Sequence, residues 1–212
     1  MFGIHDLWLF IISGLLLNLM PGPDTLFIMT KSASQGWKAG VAASLGICSG
    51  VYVHIFAAAF GLSAVLATSA TAFVVVKLVG AAYLIYLGWT ALRQKTQANS
   101  DHPLLEQPRQ SLSTIYRQGF LTNALNPKVA LFFLAFVPQF IAADSENTVL
   151  AFIVLGTIFD VNSLIWCVSV ALFTAFASER LQVGQQAKVW LNKVVGALFI
   201  GLGIRLAVSA QN

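Results

Sequence analysis

The run GLLLNLMPGPD, residues 14–24, decides how this chain is read, because it sets an asparagine, two prolines and an aspartate inside an otherwise apolar helix. A second run, GFLTNALNPK at residues 119–128, repeats the pattern. The same spacing separates Gly14 from Gly119 and Asn18 from Asn123, and Pro23 corresponds to Pro127 after a one-residue slip. Proline has no amide to donate and frees a carbonyl one turn back, and in hydrocarbon such groups persist only against protein or a water-lined cavity. Both runs are therefore expected to be discontinuous membrane helices that build a transport site near the bilayer midplane.

Composition supports a membrane setting. Of 212 residues 58% are apolar and 9% charged, with a mean hydropathy of +0.79, which lies outside the range of soluble domains. Six spans are expected at about residues 7–30, 39–66, 71–92, 114–141, 147–176 and 190–209. The whole chain, 1–212, then forms one transmembrane transporter domain. Repeat 1 covers about 7–92, a solvated cytoplasmic linker about 93–113, and repeat 2 about 114–209. A second pair of matching stretches, Lys77 to Ala81 and Lys193 to Ala197, supports the repeat. Three helices per copy is an odd number, so the two copies cross the membrane in opposite senses. The expected fold is an all-α inverted repeat with helices 1 and 4 broken at their proline motifs.

Charge placement gives an orientation. Lys31, Lys38, Arg93, Lys95, Arg109, Arg117, Arg180 and Lys188 fall on one side of six spans, which marks that side as cytoplasmic and both termini as periplasmic. Trp8, Trp37, Tyr116 and Trp190 sit near expected span ends, where amphipathic rings anchor. The first helix has no basic n-region and no small-residue cleavage pattern and is expected to be retained. The net charge of +4 comes from few residues and does not point to nucleic acid.

Ionisable groups within spans normally face the bundle interior, because each costs roughly 2.5–3.5 kcal/mol at a helix centre. Aligning the prolines makes Asp24 and Lys128 equivalent, with opposite charge. They are expected to face one another or a bound solute; snorkelling or a static ion pair is the bland alternative. Asn18, Pro21, Gly22, Pro23, Asp24, Asn123, Asn126, Pro127 and Lys128 form the expected binding set. Asp160, beside Asn162 and Ser163 in the fifth span, is the expected proton carrier with Asn162, against a structural hydrogen-bonded carboxylate. His54 is a lone histidine expected to be a satisfied packing residue.

Gly36, Gly40, Gly46 and Gly50 make two G-x-x-x-G units, a spacing that lets helix backbones approach, with the partner helix within the chain or on a second copy in a homo-oligomer. Cys48 and Cys167 lie in apolar runs and read as small hydrophobes. No zinc motif, no G-x-S-x-G elbow and no clustered histidines occur, so neither an enzyme nor a metal or other cofactor is expected. A channel or scramblase-like pore for small polar solutes or lipids stays open beside a carrier.

Pro21, Gly22 and Pro23, followed by the glycine ladder, resemble the N-terminal signature of the LysE/RhtB family of amino-acid exporters. Asn126, Pro127 and Lys128, then Phe132, Phe133, Pro138, Gln139 and Phe140, resemble its second characteristic stretch. The resemblance runs from Leu7 to about Leu206, with Met20 standing where the family commonly has asparagine. It implies a secondary transporter of the bacterial inner membrane that exports an amino acid or close derivative. Proton antiport with alternating access is implied, with protons, substrate and lipid as the partners.

Overall fold

A computed structural model describes residues 2–20, 22–62, 109–142 and 145–177, with isolated positions between 74 and 92 and between 197 and 204. Pro21, most of the third and sixth expected spans, including Lys77 and Lys193, and most of the linker lie outside the described residues. So do Arg93, Lys95, Arg180, Lys188 and Trp190. What is described is helical: α1 (Leu7–Leu19), α2 (Pro23–Gln35), α3 (Trp37–Phe56), α4 (Leu112–Ala124), α5 (Pro127–Leu131) and α6 (Thr148–Ala177). No strand occurs among the described residues, only an isolated bridge between Ile4 and Ile141.

Local chemistry explains where these helices start and stop. Pro23 and Pro127 each occupy the first turn of their helix, where the missing amide would have had no intrahelical partner. Asn126 caps α5 by accepting the Lys128 amide at 3.0 Å, Ser111 caps α4 by accepting from Thr114 at 3.2 Å, and Asn147 receives the Leu150 amide at 3.0 Å ahead of α6. Gly36 has φ +84° in the sharp turn from α2 to α3, a conformation that disfavours any Cβ. Beyond Leu131 the chain continues as a π-helical segment, Phe132–Phe136, and then a 3-10 turn, Val137–Phe140, that contains Pro138. α3 likewise runs on into a π-helical segment, Ala57–Leu62.

Two helices, Trp37–Gly61 and Thr148–Phe176, are long and apolar enough to cross a membrane. α1 and α2 have 13 residues each. At about 1.5 Å per residue, either one reaches roughly 20 Å, short of a hydrocarbon core of about 30 Å. Together they pass the same test, with axes bent by 55°, and α4 with Pro127–Phe140 does so with a 45° bend. Among the described residues the candidate spans number two, or four if each bent pair is one crossing.

The first span, expected to end at about residue 30 with Lys31 in the loop beyond, runs further: α2 continues to Gln35 and buries Lys31. Its ammonium donates to Gln110 Oε1 at 2.8 Å and lies 5.5 Å from the Phe27 ring, so a long aliphatic stem is packed while the charge finds an acceptor. Gln110 in turn donates its amide to Gln35 Oε1 at 2.9 Å, which fastens the start of α4 to the end of α2.

The apolar core is divided into two clusters. One takes Phe10, Leu17 and Met20 from the α1 side, Val51 to Ala59 from the far half of α3, Val129 to Phe140, and Phe152 to Phe159 from the first part of α6. The other takes Ile28 from α2, Ala39 to Ile47 from the near half of α3, Ile115 from α4, and Cys167 and Ala171 from α6. Each bent pair, and α3 and α6, passes from one cluster to the other: between Met20 and Ile28, Ile47 and Val51, Ile115 and Val129, and Phe159 and Cys167. Chain direction follows: α1 with α2 runs from the first cluster to the second, α4 with α5 runs the opposite way, and α3 and α6 are likewise opposed. The first end is tied by His5 N–H to Phe140 O at 3.0 Å and Ala142 N–H to Gly3 O at 2.8 Å.

Glycines set how closely these helices approach. A Cβ on Gly46 would run into the Tyr116 carbonyl oxygen, one on Gly50 would lie 2.7 Å from the Phe120 oxygen, and one on Gly119 2.6 Å from the Ala43 oxygen. α3 and α4 therefore meet backbone to backbone. Gly40 faces the Ser32 side chain and Ala171, whereas a Cβ on Gly36 would meet nothing within 4 Å; Gly36 serves the turn rather than a helix contact.

Candidate functional site

The site is the polar layer between the two clusters, and it is built by the helix ends at the two breaks. Met20 N–H still reaches Leu16 O, but Pro21 has no amide to offer Leu17 O, so α1 ends in carbonyls whose partial negative charge attracts cations. Lys128, in the first turn of α5, fills that need: its ammonium donates to Leu17 O and Met20 O, both at 2.9 Å. A lysine is badly placed at the start of its own helix and well placed at the end of another.

The opposite arrangement holds for Asp24. It stands in the first turn of α2, where a carboxylate suits the helix dipole, and its Oδ2 accepts from Asn123 Nδ2 and Asn126 Nδ2, each at 2.9 Å. Each break is thus held by a residue of the other. Asp24 and Lys128 interact electrostatically but form no direct pair: among the described residues, the ion-pair contact within 4.0 Å is His5 with Asp6. The two asparagines, rather than the lysine, bond the carboxylate.

Surrounding side chains complete the layer. His54 Nε2–H donates to the Asn123 carbonyl at 2.8 Å, which places that hydrogen on Nε2 because a carbonyl only accepts. Asn18 and Ser163 exchange hydrogen bonds at 2.9 and 3.1 Å, joining α1 to α6 one turn before the break. Asp160 is buried and its Oδ1 meets no protein donor, while the Cys48 thiol lies within hydrogen-bonding reach. Asn162 is partly buried, one position from Ser163.

Of the expected binding set, Asn18, Gly22, Pro23, Asp24, Asn123, Asn126, Pro127 and Lys128 all lie at or next to the breaks; Pro21 is outside the described residues. Ser163, which the sequence places beside Asp160 without a role, bonds Asn18. Its partnership with Asn18 depends on the rotation of α6, which a uniformly apolar sequence does not specify. Among the described residues no group of three or more His, Cys, Asp or Glu could hold a metal ion. Chemically, the layer offers carboxylate and amide oxygens, an ammonium and neutral amides, groups complementary in kind to both ends of a small zwitterion.

Comparison with known proteins agrees in type. The leucine efflux protein of Enterobacter sp. strain 638 is 31% identical over 210 residues, covering 97% of each chain. That of Salmonella choleraesuis strain SC-B67 is 28% identical over 210 residues, with 97% of this chain and 96% of the relative covered. An uncharacterised membrane protein of Pseudomonas aeruginosa is 31% identical over 220 residues, with 98% and 97% covered. No solved structure matches. The LysE type translocator family matches from residue 15 to residue 210, and the chain belongs to that family.

Proposed function

We propose that this translocator is a secondary transporter of the bacterial inner membrane. It exports an amino acid or close derivative in exchange for protons, with alternating access to the polar layer. The observation that carries the reading is the cross-bracing of the two breaks, in which Lys128 holds the end of α1 and Asn123 and Asn126 hold Asp24. Motion of either bent pair must exchange those bonds for others, and a zwitterion brings the donors and acceptors to replace them. The relatives named for leucine efflux make leucine the first solute to try.

Opposed chain directions favour two inverted repeats, each containing a bent pair read as one broken span. Lys31, Lys38, Arg109 and Arg117 belong to the end that carries the second apolar cluster. That end is the cytoplasmic one on the distribution of basic residues, and six spans then leave both termini periplasmic. Asp160, buried with a free oxygen and with Asn162 beside it, is the proposed proton carrier.

Purified protein in proteoliposomes, loaded in turn with radiolabelled amino acids, tests the reading under an imposed pH gradient. Saturable efflux that the gradient accelerates is expected for at least leucine or a near analogue. Non-saturable leakage would indicate a pore, and the absence of movement for every amino acid would refute export.

A further inference from the structure

Besides Asp160 Oδ1, two acceptor atoms in the polar layer have no partner among the described residues. Asp24 Oδ1 and Asn123 Oδ1 are both buried without a donor, and Asn123 as a residue is only 1% exposed. They belong to one patch, because Asn123 Nδ2 donates to the other oxygen of the same carboxylate at 2.9 Å. That bond also settles the amide's orientation, since an ionised carboxylate only accepts, and turning the amide would set oxygen against oxygen.

Most neighbouring groups are already engaged. Asn126 gives its Nδ2 to Asp24 and its Oδ1 to the Lys128 amide. The Asn123 carbonyl accepts from His54, and Lys128 has two of its three donors on Leu17 O and Met20 O. Of these side chains, the patch still presents two buried acceptors, one of them on a carboxylate, against the one remaining Lys128 donor. Buried acceptors left unmatched are costly, so the group that completes the patch must bring donors and, beside Asp24, positive charge.

We propose that Asp24 Oδ1 and Asn123 Oδ1 form the subsite for the substrate's ammonium group, and that the layer selects its cargo by the amine rather than by the carboxylate. The inference rests on the export reading and adds to it which end of the solute is recognised. The same acceptors would suit an inorganic monovalent cation such as sodium, a source that experiment can separate.

The test uses the full-length protein and two fragments of leucine: 3-methylbutylamine, which lacks the carboxylate, and 4-methylpentanoate, which lacks the amine. Radiolabelled leucine counterflow is measured at equal pH on both sides, so that the permeant amine cannot act through a gradient, and heat stability of the purified protein reports binding independently. The amine is expected to compete with leucine and to raise the melting temperature. The acid should do both at least about tenfold more weakly, since a site built for a hydrogen-bonding group rejects the analogue without it. Exchanging sodium for choline should change neither reading. Asp24→Asn should abolish the protection by amine while the unliganded melting temperature holds; the wild-type comparison decides the matter even if that variant misfolds. Competition by the acid but not the amine, or protection by sodium in place of the amine, would overturn the subsite. Stabilisation by the amine without leucine counterflow would instead count against leucine export and leave the subsite standing.

Discussion

Lys128 shows what a single residue does at this depth. A lysine at a helix centre costs roughly 2.5–3.5 kcal/mol. Two charge-assisted hydrogen bonds at about 1.5–3 kcal/mol each are enough to offset that. Both are present, to Leu17 O and Met20 O. Lys128→Met would relieve the buried charge but strand two carbonyls, each costing about 1–3 kcal/mol. The expected result is a melting temperature lowered by several degrees together with loss of transport; a variant as stable and active as wild type would show the lysine to be dispensable. Sequence alone made Asp24 and Lys128 equivalent and opposite, because aligning Pro23 with Pro127 needs only local pattern. It could not show that the two are not directly paired, since their partners, Asn123, Asn126 and the end of α1, are chosen by tertiary packing.

At the level of elements, the closest approach is between α3 and α4, and it is the backbone that touches. Ala substituted at Gly46 or Gly119 would drive a methyl into a carbonyl oxygen that cannot rotate away. A loss of about 1–3 kcal/mol or more is expected, read as a lower melting temperature, whereas Gly61→Ala, with nothing within 4 Å of the added carbon, should be far milder. The G-x-x-x-G spacing pointed to this surface but assigned Gly36 to it, because a four-residue interval looks the same whether it lies on a helix or crosses the turn before one. Helix rotation was equally hidden. Asn162 and Ser163 are adjacent in α6, yet it is Ser163 that reaches Asn18. For the same helix, Asp160→Asn is expected to remove the acceleration of efflux by a pH gradient while leaving leucine exchange at equal pH; an unaltered gradient response would exclude Asp160 as the proton carrier.

At the scale of the molecule, the described residues form two apolar clusters with a polar layer between them, and the proposed orientation sets the basic end toward the cytoplasm. Both native cysteines are buried, so a single introduced thiol can be read against a low background. Lys38→Cys should react with a membrane-impermeant maleimide in inverted vesicles, and His5→Cys in intact spheroplasts; the reverse pattern would invert the orientation. The two-cluster division was legible only in outline. Apolar runs and prolines locate the breaks, but it takes the packed structure to show that four separate stretches change cluster at the same level. Lys31 eluded the pattern because it sits where an apolar run ends and a long stem can still be buried. The central claim is that this layer is where substrate is held, and the most direct measurement is leucine efflux from proteoliposomes containing Asp24→Asn beside wild type, under the same pH gradient and with melting curves for both. The account predicts saturable, gradient-accelerated efflux for wild type and a rate at least about tenfold lower for the variant at similar heat stability. Equal rates for the two proteins would contradict it.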